Sequence, residues 1–281
     1  MGDDWLSELH WAAEFESAQE VAALIAQADD VDAMDEERTA LWRAVHASRP
    51  ENVQVLLAAG ADPARSMMYG WSPARLSLTT EHPLPTEEDL TPEERAAVEE
   101  RDRLVAVLGG LPRDDGYSLA CVAGIDARTA LDRLEAEPVE VTYERLEDWR
   151  TDLLDEETVV GVTSVPGGCV LMQLWGYSAA GLDVLERLSA GTVAIGMYAN
   201  PKGGNQGTVY RDGDGDDADL QVGNGVDEQA TADDVLLAHL YQDEPAAFCL
   251  AYAGLRPTDN RAFTSPELWV RLSQRPARIM E

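Results

Sequence analysis

The sequence predicts a repeated helical array in the first third of the chain, followed by an α+β domain with a mostly antiparallel sheet. Two observations support this fold class. Within the first third, three segments with similar sequences recur at a spacing of about 32–33 residues. The remainder of the chain mixes strand and helix patterns without regular βαβ spacing. The chain has 281 residues, of which 45% are hydrophobic, so it can bury a core. We expect the array at residues 1–112 and the α+β domain at residues 115–281.

Three segments of the first third match one another. They begin at Ser7, Thr39 and Ser72 and read Ser-Glu-Leu-His-Trp-Ala-Ala, Thr-Ala-Leu-Trp-Arg-Ala-Val and Ser-Pro-Ala-Arg-Leu-Ser-Leu. A second apolar pattern, at residues 21–25 and 53–57, follows the first two segments. Each unit is therefore predicted to contain a short inner helix, a longer outer helix and a turn.

The third copy carries an insertion at residues 79–91, which is rich in proline. At its end, Thr91 can cap a helix that has Pro92 in its first turn and that ends at Gly109 and Gly110. We interpret this helix as the third outer helix, which the insertion displaces along the sequence.

These segments resemble the ankyrin-repeat family, because both helices and the connecting turn recur in register. The resemblance implies that His10, which occupies the position of the family's Thr-Pro-Leu-His histidine, is a buried hydrogen-bonding residue. The second copy has Trp42 at this position and the third has Arg75. Gly60 suits the left-handed helix end that the Leu-Leu-x-x-Gly-Ala-Asp stretch requires.

In ankyrin-repeat proteins, partners usually bind to the tips of the turns and to the concave face of the inner helices. The resemblance therefore implies an acidic and aromatic partner-binding surface in this chain. Its residues are Glu14, Phe15, Glu36, Glu37, His46, Met68, Tyr69 and Trp71. In the alternative interpretation, Trp71 and Met68 pack against the next domain and the acidic residues are merely solvated.

The second domain shows short strand and helix patterns in an irregular order. Strands are predicted at residues 117–123, 158–164, 169–175, 191–198, 208–211 and 220–222. Helices are predicted at residues 126–134, 179–188, 231–241 and 245–255. The strands at 158–164 and 169–175 form a predicted hairpin around Pro-Gly-Gly.

Over about residues 115–275, the chain is similar to an uncharacterised domain family that is frequent in high-GC bacteria. The blocks that carry the resemblance are Gly-Tyr-Ser-Leu at 116–119, Val-Gly-Val-Thr at 160–163, Gly-Gly-Cys-Val-Leu at 167–171 and Leu-Ser-Ala-Gly-Thr at 188–192. This resemblance implies no activity.

The chain is strongly acidic, with 53 Asp and Glu against 21 Lys and Arg and a formal net charge of −32. Such a surface repels phosphate backbones and anionic lipids, so we expect neither nucleic acid nor a membrane as a partner. Residues 1–150 hold 33 acidic against 13 basic side chains, a net charge of −20, whereas residues 151–281 have a net charge of −12. We therefore expect the array to bind a basic protein partner.

Other features favour a cytoplasmic location. Residues 1–9 carry acidic but no basic side chains, so no signal peptide is expected, and no apolar stretch approaches the ~20 residues of a membrane helix. The three cysteines, Cys121, Cys169 and Cys249, lie among apolar neighbours without zinc-site spacing. They are predicted to be buried free thiols in a reducing compartment.

No motif predicts chemistry. Residues 212–219 resemble the start of a calcium loop, but the sixth position is Asp217 instead of Gly and the twelfth is Gly223 instead of Glu. A hairpin turn fits better. The glycine-rich stretch 203–207, beside Lys202, lacks a P-loop ending and is predicted to be a loop. His239 is expected to be a packed or surface residue. We predict no catalytic residue, metal or cofactor.

The sequence thus predicts a non-enzymatic cytoplasmic binding protein, such as an adaptor, inhibitor or immunity-type protein, whose acidic array binds a basic partner. The alternative is an enzyme or small-ligand-binding protein with its site in the α+β domain and the repeats as a targeting arm. An enclosed pocket that holds a His or Glu with a perturbed pKa would favour this alternative. A self-associating scaffold is a third interpretation, and the sequence does not define the oligomeric state.

Overall fold

The computed structural model describes residues 7–109, 111, 116–141, 158–174, 176–200, 204–215, 220–221 and 230–273. The chain divides into two compact units. The first comprises Met1–Glu99 and Val226–Leu240, and the second comprises Glu100–Gly225 and Tyr241–Glu281. Helices at the N-terminus precede an antiparallel sheet with its own helices, which confirms the α+β fold class. In the described residues, no helix combines the length and the apolar character that crossing a membrane requires.

Helices build the first unit, and both strands and helices build the second. The helices are α1 (Glu8–Phe15), α2 (Ala18–Ile25), α3 (Ala40–His46), α4 (Pro50–Ala58), α5 (Pro73–Ser77), α6 (Pro92–Leu108), α7 (Ala127–Leu134), α8 (Leu182–Leu188), α9 (Ala232–Leu240), α10 (Pro245–Tyr252) and α11 (Arg261–Thr264). The strands are β1 (Tyr117–Ala123), β2 (Glu137–Pro138), β3 (Val159–Val165), β4 (Gly168–Leu174), β5 (Val193–Asn200), β6 (Gly204–Arg211), β7 (Asp214–Gly215), β8 (Leu220–Gln221) and β9 (Leu268–Arg271). Short 3-10 turns lie at Met68–Gly70 and Ser178–Ala180.

The N-terminal helices form two rows. Helix α1 packs on α3 and α3 packs on α5, whereas α2 packs on α4. Within each helix pair, α1 also contacts α2 and α3 contacts α4. The inner and outer helices that the sequence predicts for the first two copies are therefore present, and the third copy begins with the short helix α5.

The three copies begin with the same helix cap. The hydroxyl oxygens of Ser7, Thr39 and Ser72 each accept a hydrogen bond from the backbone N–H three residues later. Each bond satisfies a donor that the helix leaves unpaired, which is worth about 1 kcal/mol. After α4, Gly60 takes the left-handed conformation (φ 95°) that the turn pattern predicts. The repeated sequence pattern therefore specifies where the helices start and stop.

Asn52 of α4 ties the second helix pair to the first. Its side chain is buried, and its amide nitrogen donates to the main-chain oxygens of Ala13 at 2.9 Å and Glu16 at 3.1 Å. These oxygens belong to the end of α1, where carbonyl groups lack partners within the helix. The asparagine thus caps one helix from another.

Helices α6 and α9 both start with a reciprocal cap. At the start of α6, the Thr91 hydroxyl accepts from the backbone N–H of Glu94, whose carboxylate accepts from the backbone N–H of Thr91. Thr231 and Asp234 form the same pair at the start of α9. Both predicted helices are confirmed. Although α9 follows the strands β1 to β8 in sequence, it packs in the first unit against the turn Met68–Gly70.

The described strands join one sheet in the order β2-β9-β3-β4-β1-β5-β6-β7, with β8 beside β6. Every pair is antiparallel, as the sequence predicts. Strands β3 and β4 form the predicted hairpin, and β1 lies between β4 and β5 in the centre. Edge strands β2, β7 and β8 are only two residues long.

The sheet is buried on both faces. Ala120 and Val122 of β1 belong to an apolar cluster that also contains residues of α7 and α8. Leu119 and Cys121 alternate with them along the strand and are fully buried, so they occupy the opposite face. Helix α10, which contacts β1 and β5, contributes no residue to the first cluster and covers that opposite face. The three cysteines are buried free thiols, as predicted.

Some local predictions differ from the structure. The helix expected at 179–188 is split into the turn Ser178–Ala180 and α8. The loop prediction for 204–207 is wrong, because these residues begin β6 and pair with β5.

The predicted domain limits place residues 226–240 in the second domain, whereas the compact first unit includes them. Strand β9 and helix α11 have no counterpart among the predicted elements. Trp175, Lys202, Gly203 and residues 216–219 and 222 lie outside the described residues.

The asparagine cap generates a prediction about stability. We expect Asn52→Asp to lower the free energy of unfolding of the first unit by about 3 kcal/mol, because a carboxylate cannot donate and would bring a buried negative charge to carbonyl oxygens. Gln54→Glu adds the same charge at an exposed position of α4 and should change stability by less than about 0.5 kcal/mol. Thermal unfolding of both variants measures the difference. Equal effects would contradict the capping role of Asn52.

Candidate functional site

The turn between α2 and α3 is a hairpin tip that carries two glutamates. Asp35 and Arg38 bridge as an antiparallel pair, with the backbone N–H of Asp35 donating to the Arg38 oxygen at 2.9 Å. Between them, Glu36 and Glu37 take left-handed conformations, with φ of 47° and 61°. Two-residue turns with this geometry favour Asn-Gly. Each glutamate stores strain on the order of 1–2 kcal/mol, and such strain concentrates at functional sites.

Arg43 of α3 joins this tip to α1. Its side chain is only 7% exposed, and its terminal nitrogens bond to Glu14 at 3.2 Å and to Glu36 at 3.0 Å. Its Nε is buried without a hydrogen-bond partner among the described residues. Two carboxylates compensate the buried cation, since an uncompensated one costs several kcal/mol. Arg43 thereby brings together two of the predicted partner-binding residues.

A second tip, at Met68–Gly70, presents Tyr69. The Tyr69 backbone is left-handed (φ 53°), and its side chain is exposed. Arg38 connects the two tips, because its Nε donates to the Met68 sulfur at 3.1 Å. Burial, together with the like charge of Arg43, lowers the pKa of Arg38. Nearby carboxylates oppose this shift and help to keep the guanidinium charged.

The exposed side of α1 is aromatic. Trp11 and Phe15 lie one helical turn apart, with ring centroids separated by 4.3 Å and planes tilted by 40°. They are 46% and 47% exposed. Two large adjacent aromatic rings in contact with water are unusual, and such patches mark interaction sites. Glu14, which pairs with Arg43, lies on the same helix, between Trp11 and Phe15 in the sequence.

We call the exposed residues Trp11, Phe15, Glu36, Glu37 and Tyr69 the aromatic–acidic face. Four of them belong to the predicted partner-binding set, and Glu14 supports them as a partner of Arg43.

Sequence reasoning missed Trp11, Arg38 and Arg43 as parts of this face. A signal for two of them was present, since Trp11 and Arg43 occupy equivalent positions in the first and second copies.

Trp71 and Met68 are not part of the exposed surface. Trp71 is 1% exposed, and its indole N–H donates to the main-chain oxygen of Ala232 at 2.9 Å. The Arg75 guanidinium lies 4.5 Å from its ring centroid. Met68 is buried as well. Both residues are therefore buried packing residues, and the segment that Trp71 contacts belongs to the first unit and not to the next domain.

Two histidines of the first unit are held in neutral forms. His10 is buried, and its Nε2 lies 3.1 Å from the main-chain oxygens of Ala33 and Arg38, so the predicted structural role is confirmed. Burial lowers the pKa of His10. For His46, burial and the charges of Arg38 and Arg43 lower the pKa to about 4. Its Nδ1 lies 3.0 Å from the Nδ1 of His239, which is buried in α9.

A family model described as a family of unknown function, DUF6461, matches residues 90–242, more than half of the chain. The chain belongs to the DUF6461 family. The DUF6461 match spans α6 to α9, so it includes the helix that contacts Trp71 and His46. The aromatic–acidic face lies outside the DUF6461 match, in the residues before it. No curated protein matches the chain.

Inside the DUF6461 region, one buried hydroxyl stands out. Ser118 of β1 is fully buried, and its Oγ has no hydrogen-bond partner among the described residues. Its cross-strand neighbours are Gln173 and Tyr198. Gln173 is buried, and its Oε1 accepts from the backbone N–H of Ser178 at 2.7 Å. Because an unpaired buried hydroxyl costs about 1–3 kcal/mol, Ser118 is a candidate contact for a polar ligand.

The three cysteines, of which Cys121 and Cys169 lie in the DUF6461 region, are poor nucleophiles. Burial raises the pKa of Cys169 to about 12 and also raises the pKa of Cys121 and Cys249. Since the thiolate is the reactive form, these side chains act as small apolar residues of the sheet core.

The strained tip generates a prediction. We expect the double variant Glu36→Asn with Glu37→Gly to have a free energy of unfolding about 1 kcal/mol higher than the variant Glu36→Gln with Glu37→Gln, because both lose the Glu36–Arg43 ion pair but only Asn-Gly relieves the two left-handed positions. The matched control, Glu36→Gln with Glu37→Gln, removes the same charges but keeps the strain, and should not stabilise the protein. Urea unfolding measures both. Equal stability of the two variants would show that the tip is unstrained.

Ser118 generates a second prediction. We expect Ser118→Ala to leave stability unchanged or to raise it by about 1 kcal/mol, because no hydrogen bond is lost. Ser189 is equally buried, but its hydroxyl donates to the Glu186 oxygen and accepts from the Gly213 N–H. Ser189→Ala should therefore lower the free energy of unfolding by about 1–2 kcal/mol. If Ser118→Ala destabilises the protein as much as Ser189→Ala does, the Ser118 hydroxyl has a partner.

Proposed function

We propose that the first unit is an ankyrin-type repeat module that binds a basic protein partner through the aromatic–acidic face. The observations that carry this proposal are the exposed Trp11–Phe15 pair on α1 and the exposed glutamate tip, which Arg43 joins to α1 through its ion pairs with Glu14 and Glu36. Aromatic side chains provide most of the binding energy in many interfaces, and charged groups around them select the partner.

The charge of the chain supports a basic partner. The face lies in residues 1–150, whose net charge is −20. Its two arginines are turned inward: Arg43 is buried between Glu14 and Glu36, and Arg38 contacts Met68. The exposed tip therefore presents carboxylates. Long-range attraction accelerates the encounter with a cationic protein, and this acceleration falls as salt screens the charges.

The strained backbone at the tips also supports a binding role. Glu36, Glu37 and Tyr69 take left-handed conformations in which glycine or asparagine would be more stable. Glutamates and a tyrosine at these left-handed positions lower the stability of the protein but place their side chains in solvent, where a partner can contact them. We infer an adaptor, an inhibitor or an immunity-type protein that acts in the cytoplasm.

Affinity purification from the native cell tests this function. The full-length chain serves as bait, alongside the variant Trp11→Ala with Phe15→Ala. We expect one basic protein to bind the wild type, to elute between ~50 mM and ~500 mM salt, and to bind the variant at least about thirtyfold more weakly.

The matched control removes exposed apolar side chains from the second unit. Tyr177 and Leu182 are even more exposed than Trp11 and Phe15. Tyr177→Ala with Leu182→Ala should leave partner binding unchanged. The proposal fails if the control variant loses the partner as completely as the α1 variant, or if the bound protein is acidic and resists salt.

Ser118 favours a second candidate function, in which the DUF6461 region binds a small polar ligand or acts on it. In this alternative, the repeats are a targeting arm. A ligand that forms a hydrogen bond with the Ser118 hydroxyl would raise the melting temperature of the wild-type protein more than it raises that of the Ser118→Ala variant. A thermal-shift screen of polar metabolites against both proteins tests this, and equal shifts for every compound would exclude Ser118 as a contact.

A further inference from the structure

The end of the array that α1 and α2 form is open, in contrast to the same side of the second copy. Equivalent residues of the first two copies lie 32 positions apart, as Ser7 and Thr39 do. Helices α3 and α4 of the second copy pack against α1 and α2. Among the described elements that pack closely, α1 contacts only α2 and α3, and α2 contacts only α1 and α4. The side of the first copy that corresponds to the α1-facing side of α3 is therefore uncovered.

Burial of equivalent residues defines this uncovered side. Arg43 and Asn52 are buried in the second copy, whereas Trp11 and Glu20, at the equivalent positions of the first copy, are exposed. We call the residues of the first copy that show this contrast the end surface: Glu8, Trp11, Phe15 and Glu20. Their more buried equivalents in the second copy are Ala40, Arg43, Ala47 and Asn52.

The end surface lacks the groups that tie one copy to the copy before it. In the second copy, Arg43 bonds to Glu14, and Asn52 donates to main-chain oxygens at the end of α1. At the equivalent positions, Trp11 carries no cation, and Glu20 carries a carboxylate that cannot donate to a carbonyl oxygen. These residues therefore do not suit a further copy of the same kind.

Aromatic rings and carboxylates make up the end surface. Trp11 and Phe15 contact each other, with centroids 4.3 Å apart, and about half of each side chain is exposed. The last repeat of an array needs a polar outer side if only water covers it, so two large rings there indicate a binding surface. Hydrogen bonds from Ser17 lower the pKa of Glu20, so its carboxylate is charged at neutral pH.

Charge and shape indicate what covers these rings. A second copy of the chain, docked symmetrically, would place glutamates against glutamates, and this repulsion disfavours it. A basic partner would instead pair with Glu8 and Glu20. The equivalent side of the second copy receives a helix, α1. Because Trp11 and Phe15 lie one turn apart on α1, they form a ridge that fits the groove of another helix.

We propose that the end surface binds a basic amphipathic helix of the partner protein. The apolar side of this helix packs on Trp11 and Phe15, and its Arg or Lys side chains pair with Glu8 and Glu20. This inference rests on the proposed function, because it specifies how the basic partner docks. It adds Glu8 and Glu20 to the residues that contact the partner and centres the interface on α1.

Binding by variants of the full-length chain tests the end surface. The end variant, Glu8→Gln with Glu20→Gln, removes two charges, and glutamine at position 20 can retain the reciprocal cap with Ser17. The matched control, Glu51→Gln with Glu93→Gln, removes two exposed charges from the first turns of α4 and α6. Both variants therefore change the net charge equally, and both act in the first turns of helices.

The probe is the basic protein that the wild-type chain retains in affinity purification, purified for titration. At ~50 mM salt, we expect the end variant to bind it about tenfold more weakly than the wild type, whereas the control variant should bind within about twofold of the wild type. A photoreactive benzoylphenylalanine in place of Phe15 should crosslink to a helix of the probe that carries several Arg or Lys. The same group in place of Tyr177, an exposed aromatic residue of the second unit, should give no crosslink.

The outcomes separate this inference from the proposed function. If the basic protein binds the end variant and the control variant equally well, or crosslinks at position 15 through a segment that is not a basic helix, the inference fails and the proposed function stands. If the chain retains no basic protein, both fail.

Two other occupants of the end surface have their own signatures. Removal of residues 1–6 that tightens binding of the probe more than about tenfold would assign the surface to the N-terminal segment of the chain itself. A dimer in analytical ultracentrifugation that Trp11→Ala with Phe15→Ala abolishes would assign it to a second copy. Either result would overturn the proposal.

Discussion

The buried guanidinium of Arg43 is the interaction on which the first unit depends. A cation inside a protein needs carboxylates close by, and Arg43 draws them from α1 and from the hairpin tip. This requirement fixes Glu14 and Glu36 relative to each other, although one lies in α1 and the other in the turn before α3. Together with burial, which has the larger effect, the same charge lowers the pKa of Arg38 and of His46.

Arg43 also accounts for the survival of strained backbone at the tip. A left-handed glutamate relaxes unless its surroundings hold it, and Glu36 is held by its ion pair with Arg43 and by the Asp35–Arg38 bridge on either side. Exposed ion pairs contribute little on their own. Here the arginine end is buried, so the pair orients the carboxylate that the tip presents to solvent.

The local structure of both units follows from the sequence, and their long-range assembly does not. Caps at Ser7, Thr39 and Ser72 and the strand at 117–123 were predictable, because short-range hydrogen bonds and side-chain alternation determine them. The strand order was not, since nothing local in β9 encodes its place between β2 and β3. For the candidate site, the resemblance identified Phe15, Glu36, Glu37 and Tyr69. The resemblance did not predict the burial of Trp71, because the residue that accepts its hydrogen bond, Ala232, lies far along the chain.

The first unit is therefore discontinuous, and this has a consequence for how it is made. Its last helix follows Glu99 by some 130 residues, a stretch that includes most of the sheet. At roughly 5–20 residues per second, a ribosome delivers α9 on the order of 10 s after the repeats have emerged. During this interval the Trp71 indole and the surface under α9 face solvent on the nascent chain. The repeat unit thus closes only after Leu240 has been synthesised, and until then its open side is available to chaperones.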